Sequence, residues 1–463
     1  MTKKILLLIL LLPVLLVAQH SIKGEFSPAR SYEWAILYKV SPTTSIYVQR
    51  STVDDEGRVF FDLDTTITKG IYRIVYGLPQ EENNFDLIYN GKENIEFSFH
   101  KTDGIEYKES KENQLFNSYM KSMDLVNQTI NNYYVRDGKD EKAFKSIFKT
   151  LKETQENFES ASKGLLANNF IKANKPYIPL EYEDVKTYSN NIRKTYFNQV
   201  DFSNNILQSS NFLIERILSY IFGMSVDPND QEFLKSSVDD IAENMKSSQL
   251  ELRKTLLQIV WQQLADLGFE EAANHVSDAY LLDIAEKTND DDLKNVLTVF
   301  KNTSIGSKAI DFTWETEVKG KKKEESLSGL DIANNYVVVF WSSTCSHCLE
   351  ELPKLKDYIK ASKEGELKVI AVGLEDEPYR WNNESAYYPD FIHVYGEGKW
   401  DNPIGNAYGV SATPTYFILD KDKEIVSKPY DFSELKAYFK GAKPKSTIQK
   451  VLDEKIEGDK KGN

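Results

Sequence analysis

The chain has 463 residues, a formal net charge of −14 and only two cysteines. This length predicts two to four domains, each able to bury a core without disulfide staples. The acidic balance argues against a nucleic-acid-binding protein, which needs a basic surface, and against electrostatic binding to anionic lipid.

The first residues have the pattern of an export signal. Two lysines precede an apolar run from Ile5 to Ala18. This run is short for a membrane span and has the length of a signal-peptide core, which predicts a signal peptide over residues 1–19. Cleavage is expected near Ala18 or Gln19, and an uncleaved N-terminal anchor is the alternative. In both cases the rest of the chain is predicted to be exported to the periplasm or cell envelope.

Residues 20–103 are predicted to form an antiparallel β-sandwich-like accessory domain. The segments RVFFDLD, GIYRIVYGL and NIEFSFH alternate apolar and polar residues, as strands with one buried face do. The stretch DDEG at 54–57 and the pair Asn90-Gly91 are turn signals between such strands.

The hydrophobic period changes near residue 110, and residues 104–303 are predicted to be a helical region. Apolar residues recur at helical spacing in NQLFNSYMKSMDLVNQTI and in LRKTLLQIVWQQLADL, and Gly268 stands where a helix would end. The tyrosines and methionines of this region are typical of a packed core. His275 has no partner at metal-ligand spacing.

Residues 304–443 are predicted to form an α/β domain, followed by a charged tail over residues 444–463. YVVVFWSS is a continuous apolar run, typical of a buried parallel strand, and CLEELPKLKDYIK follows it as an amphipathic helix. LKVIAVGL and TYFILD are two further strands, and KDK turns the second into EIVSK. The fold class is therefore multidomain: an antiparallel β domain, a helical region and an α/β domain.

The two cysteines lie where the first of these strands meets the helix. Cys345 opens the helix, where unpaired backbone N–H groups and the positive end of the helix dipole stabilise a thiolate. Cys348 lies one turn further on, so the two sulfurs can close and reopen a disulfide, as thiol–disulfide exchange requires. A zinc site needs about four ligands, and a structural disulfide across so short a loop removes little chain entropy. Both alternatives are disfavoured, and no metal is predicted.

The motifs around this pair make residues 304–440 similar to exported thiol–disulfide oxidoreductases of the TlpA/ResA type, which have a thioredoxin fold. The resemblance rests on FWSSTCSHC, on Pro353 five positions after the second cysteine, and on YGVSATPTYFILD at 408–420. It implies a thioredoxin fold with no cofactor beyond the redox-active disulfide. It also implies partners that are protein thiols or disulfides, and a membrane electron-transfer partner.

The resemblance assigns roles to four residues. It implies that Cys345 is the attacking thiol and that Cys348 is the resolving thiol. It implies that Pro414 is a cis-proline preceded by Thr413, in a loop whose backbone holds the extended substrate chain.

Three further residues are candidates for tuning the cysteine pair. Thioredoxin has a buried acid where this chain has Val339, whereas ResA-like proteins place a glutamate after the next strand, and Glu375 is the nearest match. A solvated loop carboxylate is the alternative. His347 resembles the histidine of DsbA, and an imidazolium there would stabilise the Cys345 thiolate and make the pair more oxidising. Trp341 is expected to shield the site, with core packing as the alternative.

The sequence thus predicts an exported enzyme that reduces protein disulfides. Two alternatives stay open: a DsbA-like oxidase that forms disulfides, and a non-catalytic binding or scaffold protein of the envelope. Residues 20–303 resemble the domain often fused ahead of such thioredoxin domains in Bacteroidetes envelope proteins, for which no chemistry is implied.

Overall fold

The computed structural model describes residues 20–41, 44–80, 82–136, 138–225, 227, 229–318 and 321–441. The predicted signal peptide and charged tail lie outside these residues. The chain divides into two compact units, the first Met1–Val226 with Glu243–Arg253 and the second Asp227–Ala242 with Lys254–Asn463. No helix in the described ranges is both long and apolar enough to cross a membrane.

From residue 20 the described part of the first unit opens with eight strands in two four-stranded sheets. The strands are β1 (His20–Ser27), β2 (Trp34–Val40), β3 (Ser45–Thr52), β4 (Arg58–Leu63), β5 (Gly70–Val75), β6 (Asn84–Tyr89), β7 (Ile95–His100) and β8 (Gly104–Glu109). The sheet orders are β4-β1-β7-β8 and β3-β2-β5-β6. Every pair is antiparallel except β1 with β7, which is parallel.

The predicted alternation of β4 is confirmed. Val59, Phe61 and Leu63 are buried, whereas the residues between them are exposed. The three side chains join one apolar cluster with residues of both sheets, including Ile22 and Leu37. Burial of this shared face is what holds the two sheets together.

The β region extends past its predicted end at residue 103. Strand β8 (Gly104–Glu109) pairs with β7, so the predicted helical region starts too early. The sequence GIEYKE has little apolar alternation because this edge strand is mostly exposed. The first helix begins at Lys111, and the Ser110 side chain caps it by accepting the Asn113 N–H.

Six helices follow in the described residues between Lys111 and Ser225: α1 (Lys111–Val135), α2 (Glu141–Ala161), α3 (Ala167–Ala173), α4 (Val185–Thr195), α5 (Asn205–Gln208) and α6 (Phe212–Gly223). The buried Glu112 carboxylate accepts the backbone N–H groups of Leu166 (3.0 Å) and Ala167 (2.9 Å) at the start of α3. An acid at this position satisfies donors that a helix start leaves unpaired.

Helices also open the second unit: α7 (Gln231–Asn244), α8 (Leu250–Asp266), α9 (Glu270–Val276), a π-helical stretch Ser277–Leu281, α10 (Leu282–Thr288) and α11 (Asp291–Asn302). Helices α7 and α8 each cross the division between the units. The predicted helix end is confirmed, since Gly268 has a φ of 79° just past α8.

Helices α9 and α11 pack on the α/β part of the same unit. The Glu270 carboxylate accepts the backbone N–H of Ile305 at 2.7 Å and pairs with the Lys428 ammonium. Gly409 has a φ of 63°, and a Cβ placed there would lie 3.0 Å from Cγ1 of Val299. The α/β domain predicted to begin at residue 304 is thus joined to preceding helices by polar and apolar contacts.

The α/β part contains the remaining elements: strands β9 (Thr313–Val318), β10 (Lys321–Ser326), β11 (Asn335–Trp341), β12 (Leu367–Glu375), β13 (Ile392–Glu397), β14 (Thr415–Asp420) and β15 (Ile425–Ser427), and helices α12 (Ser346–Ala361), α13 (Pro378–Ser385), α14 (Pro403–Ala407) and α15 (Phe432–Phe439). Five strands form one mixed sheet in the order β13-β12-β11-β14-β15, and β9 and β10 pair separately.

The central strand β11 is buried on both faces, as its continuous apolar run predicts. Val337, Val339 and Trp341 lie in the apolar cluster that includes residues of α12. The alternate residues Tyr336, Val338 and Phe340 lie in the cluster on the opposite face of the sheet. The predicted multidomain fold with a C-terminal thioredoxin-like domain is confirmed.

Strand direction brings three loops to one edge of this sheet. Strand β12 is parallel to β11, with Trp341 opposite Gly373, so both strands end at this edge. Strand β14 is antiparallel to β11 and begins there, with Thr415 opposite Phe340. The residues just after β11, at the end of β12 and just before β14 therefore meet.

Candidate redox site

The two cysteines form a disulfide at the start of α12, with their Cα atoms 5.3 Å apart. Cys345 is the N-cap residue, with extended backbone angles, and its Sγ accepts the backbone N–H of Cys348 at 3.2 Å. The same N–H can stabilise a thiolate on Cys345 after reduction, in addition to the helix dipole.

The two sulfurs differ in exposure. Cys348 is fully buried in an apolar cluster with Trp341 and Leu352, whereas Cys345 is only partly buried at the edge of that cluster. A macromolecular disulfide can therefore reach Cys345 but not Cys348. This asymmetry suits one attacking and one internal thiol.

The loop before β14 lies against the exposed cysteine. The Thr413–Pro414 peptide bond is cis, as the resemblance implies. The carbonyl oxygen of Thr413 lies 3.3 Å from Sγ of Cys345. Both loop residues are half-buried, so part of the loop surface stays open beside the sulfur.

Glu375 ends β12 and is 4% exposed, so it is not a solvated loop residue. Its carboxylate accepts the backbone N–H of Ser343, and the Ser343 hydroxyl donates to it at 3.0 Å. These bonds fix the segment between β11 and Cys345. Within the described part of the chain, no hydrogen bond joins Glu375 to Cys348.

His347 and Trp341 have contrasting surroundings. His347 is exposed in the first turn of α12, and no ion pair or hydrogen bond joins it to Cys345 among the described residues. Trp341 is fully buried at the end of β11, and its ring meets that of Tyr388 edge-on at 6.2 Å. Trp341 thus packs in the apolar cluster that contains Cys348.

Comparisons with known proteins agree with this geometry. Residues 334–425 match a family model described as thioredoxin-like. Two curated relatives named thiol-disulfide oxidoreductase ResA, from Bacillus thuringiensis strain Al Hakam and Bacillus anthracis, are each 30% identical over 131 residues. Each match covers 27% of this chain and 68% of the relative.

This chain belongs to the ResA-type thiol–disulfide oxidoreductases. Enzymes of this type act on protein thiols or disulfides. Among solved structures, a thioredoxin-like protein from Bacteroides caccae aligns with a TM-score of 0.40 and 19% identity, over 58% of this chain and 98% of that chain. A domain of a possible thiol-disulfide isomerase from Cytophaga hutchinsonii aligns with a TM-score of 0.25 and 25% identity, over 32% of this chain and 95% of that chain.

The oxidoreductase has a second carboxylate on the helix that carries Cys348, and the sequence analysis did not identify it. Glu351 is half-buried and lies three residues after Cys348 on α12. Its Oε2 accepts the Tyr416 hydroxyl at 3.0 Å and the Phe432 backbone N–H at 3.1 Å. Burial, and then the Glu351 charge, raise the pKa of Tyr416, so this hydroxyl stays a donor. The sequence signal that could have revealed Glu351 is its position three residues after Cys348, because residues at this spacing are neighbours on a helix surface.

No cluster of three or more His, Cys, Asp or Glu side chains in the described part of this oxidoreductase is arranged to hold a metal ion. The groups that meet at the site are the two sulfurs, the Thr413 carbonyl and the Cys348 amide, and the buried Glu375 carboxylate lies behind them on Ser343. Their arrangement suits exchange between sulfur atoms.

Proposed function

We propose that this oxidoreductase is exported and reduces disulfides of proteins in the periplasm or cell envelope. The observation that carries the proposal is the disulfide at the start of α12, in which Cys345 is accessible beside cis-Pro414 and Cys348 is fully buried. Export rests on the apolar run from Ile5 to Ala18 in the sequence.

The reaction begins with the reduced pair. The Cys345 thiolate attacks one sulfur of a client disulfide, and the other client sulfur leaves as a thiolate. The Cys348 thiol then loses its proton and attacks the Cys345 sulfur. The second client thiol leaves, and the Cys345–Cys348 disulfide closes. Two electrons pass from the enzyme to the client, and a membrane electron-transfer partner returns them to the pair.

The loop before β14 is proposed to hold the client chain. The Thr413 carbonyl faces the Cys345 sulfur, and the cis peptide to Pro414 keeps the neighbouring backbone at the site. An extended client segment can lie along this backbone with its disulfide at Cys345.

Glu375 is proposed to act as a positioning residue. Its carboxylate holds Ser343, two residues before Cys345, by two hydrogen bonds. This supports a role in holding the attacking sulfur in place more than the proton-transfer role that the sequence suggested.

The exposed His347 favours a second candidate, a DsbA-like oxidase. An imidazolium in the first helical turn stabilises a nearby thiolate, which favours the reduced pair and makes it more oxidising. A non-catalytic binding protein is the third possibility, since residues 20–303 carry no assigned chemistry.

The deciding measurement is the reduction potential of the pair in the chain from residue 20 onward, equilibrated with glutathione or dithiothreitol buffers. We expect a value near that of thioredoxin, about −270 mV, which marks a reductant. A value near that of DsbA, about −120 mV, would make the oxidase the correct function. His347→Ala in parallel reports how much of the potential depends on the imidazole.

Client reduction is tested with insulin as a model disulfide. Cys348→Ser should accumulate a mixed disulfide with insulin through Cys345, visible by non-reducing mass spectrometry, and Cys345→Ser should form none. A double Cys345→Ser/Cys348→Ser variant that fully complements a deletion strain would instead support the binding protein. N-terminal sequencing of the chain from cell-envelope fractions tests export.

A further inference from the structure

A cavity of about 250 Å³ lies among the helices of the first unit. Residues of α1, α4 and α6 and of the segment after α3 line it, including four tyrosines and two methionines. None of the described residues that line it is an aspartate or a glutamate. The proposed redox chemistry does not use this cavity.

Arg216 on α6 is half-buried and supplies a positive charge to the cavity wall. Its Nη2 donates to the Tyr196 carbonyl oxygen at 2.8 Å, and its Cζ lies 3.8 Å from the centre of the Tyr196 ring. Its Nε is buried without a hydrogen-bond partner. Among the described residues no carboxylate forms an ion pair with it, and burial lowers the pKa of its guanidinium.

The other cation of the cavity wall, Lys175, has a carboxylate as its counter-ion. The Lys175 ammonium pairs with the Glu159 carboxylate at 3.2 Å. Among the described residues of this wall, Arg216 is therefore the cation that lacks a counter-ion. A half-buried cation without a counter-ion loses part of its hydration, and an anion that entered the cavity would offset that loss.

We propose that the cavity binds a small organic anion, with its carboxylate or phosphate on Arg216 and a compact ring against the tyrosines and methionines. At about 30 Å³ for each water-sized group, the volume suits a ligand of roughly eight to eleven non-hydrogen atoms. Planar oxyanions match the guanidinium fork, and tyrosine and methionine side chains pack well on rings.

Isothermal titration calorimetry on the full chain tests this site with benzoate, phenyl phosphate, inorganic phosphate and neutral benzamide. Benzoate or phenyl phosphate should bind at one site per chain, and benzamide should bind at least about tenfold more weakly because it lacks the charge. Benzoate and phenyl phosphate distinguish a carboxylate ligand from a phosphate ligand. Inorganic phosphate measures the contribution of the anion without a ring.

Two arginine variants provide the matched comparison. Arg216→Met should weaken binding of the preferred anion by about tenfold or more. Arg193→Met should leave it unchanged, because Arg193 also stacks on a tyrosine, 4.7 Å from the Tyr220 ring centre, but does not line the cavity. Thermal unfolding of each variant checks that it is folded. Arg216→Lys, which keeps the charge but loses the fork, replaces Arg216→Met if that variant does not fold.

Cys345→Ser/Cys348→Ser should bind the anion as the unchanged chain does, which separates this site from the redox function. The proposal is overturned if no probe binds below about 10 mM. It is overturned equally if benzamide binds as tightly as benzoate and phenyl phosphate, or if Arg216→Met keeps full affinity.

Discussion

A single buried carboxylate links the end of β12 to the segment that leads into Cys345. Glu375 accepts both the amide and the hydroxyl of Ser343. Glu375→Gln removes the charge. It also places the N–H donors of the new amide against the amide and hydroxyl donors of Ser343. We expect a loss of about 1–3 kcal/mol in the free energy of unfolding, the usual cost of breaking hydrogen bonds to a buried charged group.

Urea unfolding of Glu375→Gln measures this loss, and Asp376→Asn is the control. The Asp376 side chain is 69% exposed, and its ion pair with Lys399 is long, at 3.6 Å. Surface pairs of this kind contribute little. Equal stability of the two variants would remove the structural role of Glu375.

A half-buried histidine, His393, makes stability depend on pH. The Nε2–H of His393 donates to the Tyr388 carbonyl oxygen at 2.8 Å, and its Nδ1 is buried without a partner. Burial, with the nearby Lys368 charge, lowers the pKa of His393 below its ordinary value. The unfolded chain therefore binds the proton more readily than the folded chain does.

The free energy of unfolding should therefore fall as the pH falls below about 6.5, the ordinary histidine pKa of the unfolded chain. The decrease should continue until the pH has passed below the lowered pKa of the folded chain. Above that pH range His393 is neutral in both the folded and the unfolded chain, so it adds no pH dependence to the free energy of unfolding. His393→Gln should show a smaller decrease in unfolding free energy between about pH 7 and pH 5. Urea unfolding at several pH values checks this, and parallel curves for both proteins would contradict it.

At the scale of elements, Glu351 ties α12 to two other elements. Its carboxylate accepts the hydroxyl of Tyr416 on β14 and the amide of Phe432 at the start of α15. Tyr416→Phe leaves a half-buried carboxylate with one partner fewer. We expect it to lower the free energy of unfolding by about 1–2 kcal/mol.

Tyr430→Phe is the matched control for Tyr416→Phe, since Tyr430 is 81% exposed and loses no buried hydrogen bond. Urea unfolding followed by circular dichroism compares the two. The same decrease in both variants would show that the bond to Glu351 adds no stability.

These elements also show what the sequence could reveal. The buried strand β11 and the cysteine pair were predictable because their signals are local: a continuous apolar run and two cysteines three positions apart. Strands β10 and β13 were missed because KKKEES and IHVYGE lack a clear apolar pattern. The bond between Glu351 and Tyr416 joins residues 65 positions apart, so only the folded sheet brings them together.

At the scale of the molecule, the helices before residue 304 contribute to the stability of the second unit. Glu270 is 16% exposed and contacts both Lys428 and the Ile305 amide. Glu270→Gln leaves Lys428 half-buried without its carboxylate. We expect the unfolding free energy of this unit to fall by about 1–3 kcal/mol.

Glu271→Gln is the control for this prediction, because the Glu271 side chain is 70% exposed and its pair with Lys235 lies at the surface. Hydrogen exchange of the amides of β11 and β14 reports the stability of the second unit separately from the first. Unchanged exchange in Glu270→Gln would mean that the contacts of Glu270 add nothing to the stability of this domain.

The close approach of Gly409 to Val299 limits how freely the redox domain can be transplanted. Gly409 has a left-handed backbone and lies five residues before Pro414, so α11 supports the chain that leads into the cis-proline loop. A chimera that joins only residues 304–441 to a foreign scaffold would keep the cysteines but lose this support. The transferable piece is the redox domain together with α9 and α11, and a hybrid that includes these helices is the one in which the loop keeps its place beside Cys345.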